Sequence, residues 1–198
     1  MANTSAPFGF QQWSGTGSTP TYEQVSGPIA YDNTTKIYSG DPVSIDPTTG
    51  NLVQATAGTA PIAGIFVQCK YSSVSRNGQT VWATYWPGAD AISGTVLGFY
   101  VNDPNAVWLV QSTGASPVAQ ANVGENIQFT LGTGNTSTGQ SGASVTFSSL
   151  NTTATLPFKV VAPVTTPPGI NGRDVTSANN VILVRFNNVD TKTLTGIA

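Results

Sequence analysis

Histidine is absent from this 198-residue chain, cysteine occurs once, and charged residues make up only 8% of it. Each scarcity excludes something. Without histidine there is no group that titrates near neutral pH in its unperturbed state, no Ser-His-Asp or Cys-His pair, and no imidazole for a metal. A single cysteine, Cys69, forbids an intrachain disulfide, so the fold rests on packing. Seven basic against nine acidic residues leave a net charge of −2 and no basic patch for nucleic acid or anionic lipid. No apolar run approaches the ~18 residues a membrane span needs. The first charged side chain is Glu23, and the N-terminus has neither the basic nor the apolar part of a secretory signal. The expectation is a chain with no nucleic-acid or membrane partner and no cofactor.

What is present is 39% hydrophobic residues with abundant Ser, Thr, Asn, Gln and Gly. Average soluble proteins carry about 25% charged residues, so the surface here is neutral and polar. Such a surface is covered by a partner without the cost of stripping water from ions. Short β-branched and aromatic runs alternate with turn signals every ten or so residues from Val25 onward, and no 3.6-residue period persists, which predicts an all-β protein. The architecture expected is an antiparallel β-sandwich, jelly-roll-like, with a small β-barrel as the alternative. Residues 1–21 read as an extended arm bearing Phe8, Phe10 and Trp13, and residues 22–198 as a single β domain.

Turn chemistry predicts three hairpins. Asp46, Pro47 and Gly50 join Val43 and Ile45 to Leu52 and Val53; Asp103 and Pro104 join residues 99–101 to 107–110. Asn77 and Gly78 suit a two-residue loop with positive φ at both positions. That loop pairs Ser73 with Trp82 and Cys69 with Trp86, and alternation then places Ile65, Val67, Cys69, Tyr71, Trp82 and Trp86 on one core face. Gln68, Lys70 and Tyr85 take the other, making Tyr85 a candidate external contact. Val181 to Val184 read as a strand covered on both faces. Residues 112–122 and 132–144 read as long surface loops.

Catalytic candidates are few. Asp41 and Asp46 both precede proline, where aspartate is a turn-former, so no catalytic role is assigned. The glycines of residues 132–139 lack the Lys-Ser/Thr ending of a phosphate loop. Asp32, Asn33, Asn171 and Asp174 lack the spacing of a calcium loop, and no metal site is assigned. Asn3, Asn33, Asn135 and Asn151 stand in N-x-Ser/Thr triplets that reflect polar composition.

The segments APFGF, GDPVSIDPTTG, APIAGIFVQCKY, TYWPGA, NDPNAVWLVQ and VILVRFNN together resemble capsid cement or head-decoration proteins of tailed bacteriophages. The resemblance implies a β-rich virion structural protein on the outer surface of the capsid, assembled in the bacterial cytoplasm. Its implied partners are the major capsid protein and itself, as a homodimer or homotrimer. No reaction is implied. Within that expectation Phe8, Phe10, Trp13 and Tyr85 are the capsid or subunit contacts, the arm inserting its rings into a neighbour. The alternative is a carbohydrate-binding β-sandwich module or tail-associated adhesin, with Trp13, Tyr85 or Trp108 stacking on sugar.

Overall fold

A computed structural model describes residues 3–21, 23–58, 60–165 and 174–192. In chain order the strands are β1 (Gln11–Ser14), β2 (Val25–Pro28), β3 (Ile37–Tyr38), β4 (Pro42–Ile45), β5 (Leu52–Gln54), β6 (Gly64–Ser72), β7 (Thr80–Ala83) and β8 (Tyr85–Trp86). They continue with β9 (Leu97–Val101), β10 (Val107–Thr113), β11 (Asn126–Ile127), β12 (Phe129–Thr130), β13 (Ser144–Thr146), β14 (Phe158–Pro163) and β15 (Val181–Phe186). Two single turns of 3-10 helix, Gln120–Asn122 and Phe147–Ser149, are the only helical pieces among the described residues. The protein is all-β, as its turn-punctuated sequence predicts.

The larger sheet runs β11-β14-β15-β10-β13-β12, and β1 joins it on β10. Leu109 to Val107 of β10 pair with β1, and Ser112 and Thr113 then pair in parallel with β13, so these two strands share one edge end to end. The second sheet runs β2-β9-β6-β4-β5 with β7 added on β6, and β3 and β8 form a small separate ribbon. Both large sheets have ends and neither closes, so the barrel alternative falls away and a β-sandwich remains.

Two cores hold these layers. In the first, Phe10, Trp108, Val110, Phe129, Phe158, Val184 and Phe186 of the larger sheet and its arm meet Ile65, Val67 and Val101 of the second sheet. In the other, Phe66, Cys69, Tyr71 and Tyr100 leave the opposite face of the second sheet to meet Ile37, Leu52 and Trp86. β15 is covered on both faces, as its apolar run predicts. Ile182, Val184 and Phe186 enter the first core, while Val181 and Leu183 pack with Leu109, Val164 and Phe8 on the other side.

The predicted β4–β5 hairpin forms, with Ile45 opposite Leu52, Ser44 opposite Val53 and Val43 opposite Gln54. The predicted β9–β10 hairpin does not form. β9 pairs with β2 and β6, whereas β10 pairs with β1, β13 and β15. The Asp103 turn is present, its carboxylate accepting from Asn105 N–H at 2.8 Å, but it carries the chain from one sheet to the other. Turn residues set a reversal of direction, not the partner that follows it.

The register around Asn77 and Gly78 is a second correction. Both residues have the predicted positive φ, +53° and +80°, but inside a wider loop closed by Ser73 N–H donating to Gln79 O at 2.9 Å. Asp90 holds that loop from outside, accepting from Ser75 N–H at 2.9 Å and Ser73 Oγ at 2.7 Å. Lys70 therefore faces Trp82, and Cys69 faces Ala83. The slip of three residues is odd, so it turns Trp82 to the other face: Trp82 is 58% exposed and is not a core residue.

The single predicted face of Ile65, Val67, Cys69 and Tyr71 is also split. A register shift between Phe66 and Gln68 leaves Val67 as an extra residue on β6, and alternation restarts beyond it. Ile65 and Val67 thus serve the first core, Cys69 and Tyr71 the second. Trp86 remains core, by a different route: β8 pairs with β3 instead of Cys69, the indole donates to Asn33 O at 2.9 Å, and its ring meets Tyr71 edge-on at 5.3 Å.

Truncating Trp86 to alanine removes a fully buried ring and its hydrogen bond, and is expected to cost ~3–5 kcal/mol in a urea unfolding titration. Trp82→Ala is expected to cost about 1 kcal/mol or less, because its ring is open to water and keeps only neighbour stacking. Equal losses would contradict the register described here.

Candidate functional site

The slip at Val67 creates the surface of interest. Along β9 the residues on one face are Val101, 3% exposed beneath the larger sheet, then half-buried Phe99, then Leu97, 40% exposed. The second sheet therefore runs out from under the sandwich and presents a shelf that no other described residues cover. Register aligns Pro28, Leu97, Lys70 and Trp82 across it on four adjacent strands. Trp82 stacks on Phe99 with centroids 5.4 Å apart, and the Lys70 ammonium sits 5.4 Å from the Trp82 centroid. Exposed Val74 and Ile92 lie at the hairpin end of the same strands, where Ile92 N–H donates to Ser72 O.

Where the sandwich stops and the shelf begins there is a groove of about 400 Å³. The arm forms one wall through Phe8, Gln11 and Gln12; Gln24, just before β2, and Thr84, just after β7, line another, and Ile65, Val67, Val101 and Trp108 lie among its apolar lining. Residues 132–144, predicted as a surface loop, contribute Thr138 and Gln140 but are not simply a loop. Residues 141–144 are buried, and Gly139 (φ +74°) approaches Thr84 so closely that a Cβ would overlap its hydroxyl.

Asp41 explains that anchoring. Its buried carboxylate accepts from Tyr38 N–H at 2.8 Å, Gln54 Nε2 at 2.7 Å and the Ser141 hydroxyl, tying residues 132–144 to the start of β4. Burial raises its pKa, and the three hydrogen bonds only partly offset that. Asp46, by contrast, is an exposed turn residue whose carboxyl is held low chiefly by the Thr48 N–H. The two carboxylates have separate structural tasks, in keeping with their place before proline. Cys69 is buried and its thiol pushed up to about 12 by desolvation, so it carries little thiolate at neutral pH.

The four predicted contact residues do not gather. Phe10 is a core residue stacked on Phe158 at 4.5 Å, and the arm is docked along its own domain through β1. Asn3 Nδ2 donates to Asp174 O at 2.6 Å and Ala6 N–H to Gln111 Oε1 at 2.8 Å. The expected outward reach of Phe10 is thus corrected: an apolar ring with an acceptable cavity in its own chain stays there. Phe8 is half-buried against Leu109 and Leu183, and Tyr85 is half-buried and stacked on Tyr38 at 5.4 Å. Only Trp13, 50% exposed on β1, stands open. Of the rings named for sugar stacking, Trp108 is 2% exposed and offers no platform. Trp82, the widest aromatic surface on the shelf, was missed because the predicted register pointed it inward.

Among the described residues no group of three or more acidic, cysteine or histidine side chains is placed to hold a metal. Asn33 is committed to Trp86 and to Thr35 N–H, and Asn171 lies outside the described residues. No helix among them is long and apolar enough to cross a membrane. Compared with known proteins, the chain matches no family model, no curated sequence and no solved structure.

The sign of the Asp41 shift yields a test. Because the folded state holds the Asp41 proton more tightly than the unfolded chain, its contribution to stability is full below about pH 3.8 and declines as pH rises through the elevated folded-state value. Asp41→Asn does not titrate there, and subtracting its urea midpoints cancels the other carboxylates. The wild-type minus variant difference is expected to fall as pH increases from about 3.8. A difference that grows with pH would mean that the hydrogen bonds outweigh burial.

Proposed function

We propose that this protein is a virion structural protein that decorates a phage capsid and stabilises it by bridging neighbouring major capsid protein subunits. The observation that carries the reading is the shelf: Trp82, Leu97, Phe99 and Pro28 on an open sheet face that the described residues leave uncovered. Contiguous exposed apolar surface on a soluble protein marks an interaction site. Around it the surface is poor in charge, so covering it strips water from few ions. Lys70 beside the Trp82 ring supplies a single positive point that fixes orientation on the partner.

The mechanism is mechanical. Specific interfaces bury about 800 Å² on each partner, and a homodimer or homotrimer presenting one shelf per copy holds several capsid subunits at once. Rebinding of one contact while the others hold makes individually modest contacts persistent. The clamp opposes outward pressure on the shell because its contacts must break together. The docked arm changes one part of this picture: the contact surface is the shelf and Trp13, and Phe10 holds the domain together. Protein placed on the outer surface of the shell in this way needs neither cofactor nor reaction.

Shells assembled without this protein, mixed with the purified chain and sedimented, test the reading. Saturating occupancy is expected for the native chain and a drop of at least about tenfold in affinity for Trp82→Ala with Leu97→Ser, both exposed and both compatible with the fold. Native chain that stays in the supernatant, or a double variant that binds as well as native, would overturn it.

A further inference from the structure

The groove beside the shelf has a lining that the capsid reading does not use. Its rim carries the amides of Gln11, Gln12, Gln24 and Gln140 and the hydroxyls of Thr84 and Thr138, and none of its lining residues is charged. Each carboxamide offers two donors and an acceptor with two lone pairs. That is the complement of neighbouring sugar hydroxyls, which donate and accept through one oxygen. The amides are only loosely engaged within the chain. Gln12 reaches Thr21 Oγ1 at 3.5 Å, Gln140 reaches Phe8 O at 3.3 Å, and Gln24 accepts from Gln68 at 3.4 Å, all at the long end for a hydrogen bond.

About 400 Å³ falls within the usual range for small-molecule sites. A nucleic acid or acidic polymer would find no cation in the lining.

We propose that this groove binds a neutral saccharide, its hydroxyls meeting the rim amides and the Thr84 and Thr138 hydroxyls. The site is independent of capsid binding, since its rim residues lie off the row formed by Pro28, Leu97, Lys70 and Trp82.

Native gel electrophoresis of the full chain through gels containing dextran, mannan, soluble starch or hydroxyethylcellulose tests this. Retardation by at least one of them, insensitive to added salt, is expected. Gln24→Ala with Gln140→Ala should weaken that retardation by about tenfold while leaving the thermal midpoint and shell occupancy unchanged. Unaltered mobility of the native chain in all four gels would overturn the proposal, as would retardation that the double variant retains. Binding of a casein digest instead, with the same dependence on Gln24 and Gln140, would make the groove a peptide site and equally overturn it.

Discussion

Everything in this fold turns on one extra residue in β6. Val67 has no opposite number on β9, and the strand's inward face changes sides at that point. Upstream, Ile65 and Val67 close the first core against the larger sheet; downstream, Cys69 and Tyr71 close the second against Trp86. Phe66, beside Ile65, already enters the second core, and the shift keeps Cys69 and Tyr71 on that same side. It lets a nine-residue strand wall both cores. It also leaves Gln68 and Lys70 on the side from which the larger sheet has withdrawn, and shelf and groove both follow from that withdrawal.

Scarcity of charge is met by polar groups that satisfy one another. Asp41 is held by a backbone N–H, an amide and a hydroxyl, and Asn180 similarly spans Ser112 and both backbone atoms of Val118. Buried polar networks of this kind tolerate little displacement, because a partner lost leaves a desolvated group behind. They tie the long connections to the sheets, a task that ion pairs share in more charged proteins. The exterior is left free to be neutral.

Much of the architecture was legible from local chemistry. The β4–β5 hairpin, the doubly covered β15 and the all-β class all follow from turn residues and the spacing of apolar runs. What escaped was long-range. Asp103 and Pro104 announce a turn, but whether β10 pairs back on β9 or crosses to β15 depends on residues some 75 positions further on. Asn77 and Gly78 adopt the dihedrals expected of them, yet Asp90, from outside the hairpin, widens the loop and shifts the register. Trp82 was placed inward for that reason alone, and the candidate site went unseen with it. The isolated β-branched Val67 carries no local mark of a bulge, so the split of the core was not to be read from β6 by itself.

The docked arm has a consequence for how the chain comes into being. Phe10 stacks on Phe158, Asn3 reaches Asp174, and β1 and β15 lie on opposite edges of β10. A ribosome delivers the first of these partners long before the second. Phe10 and Asn3 therefore wait until Phe158 and Asp174 have been made, and the larger sheet closes only after them. Topologies dominated by such distant pairings fold slowly, which places the hazard of premature association in the nascent chain and not in the finished molecule.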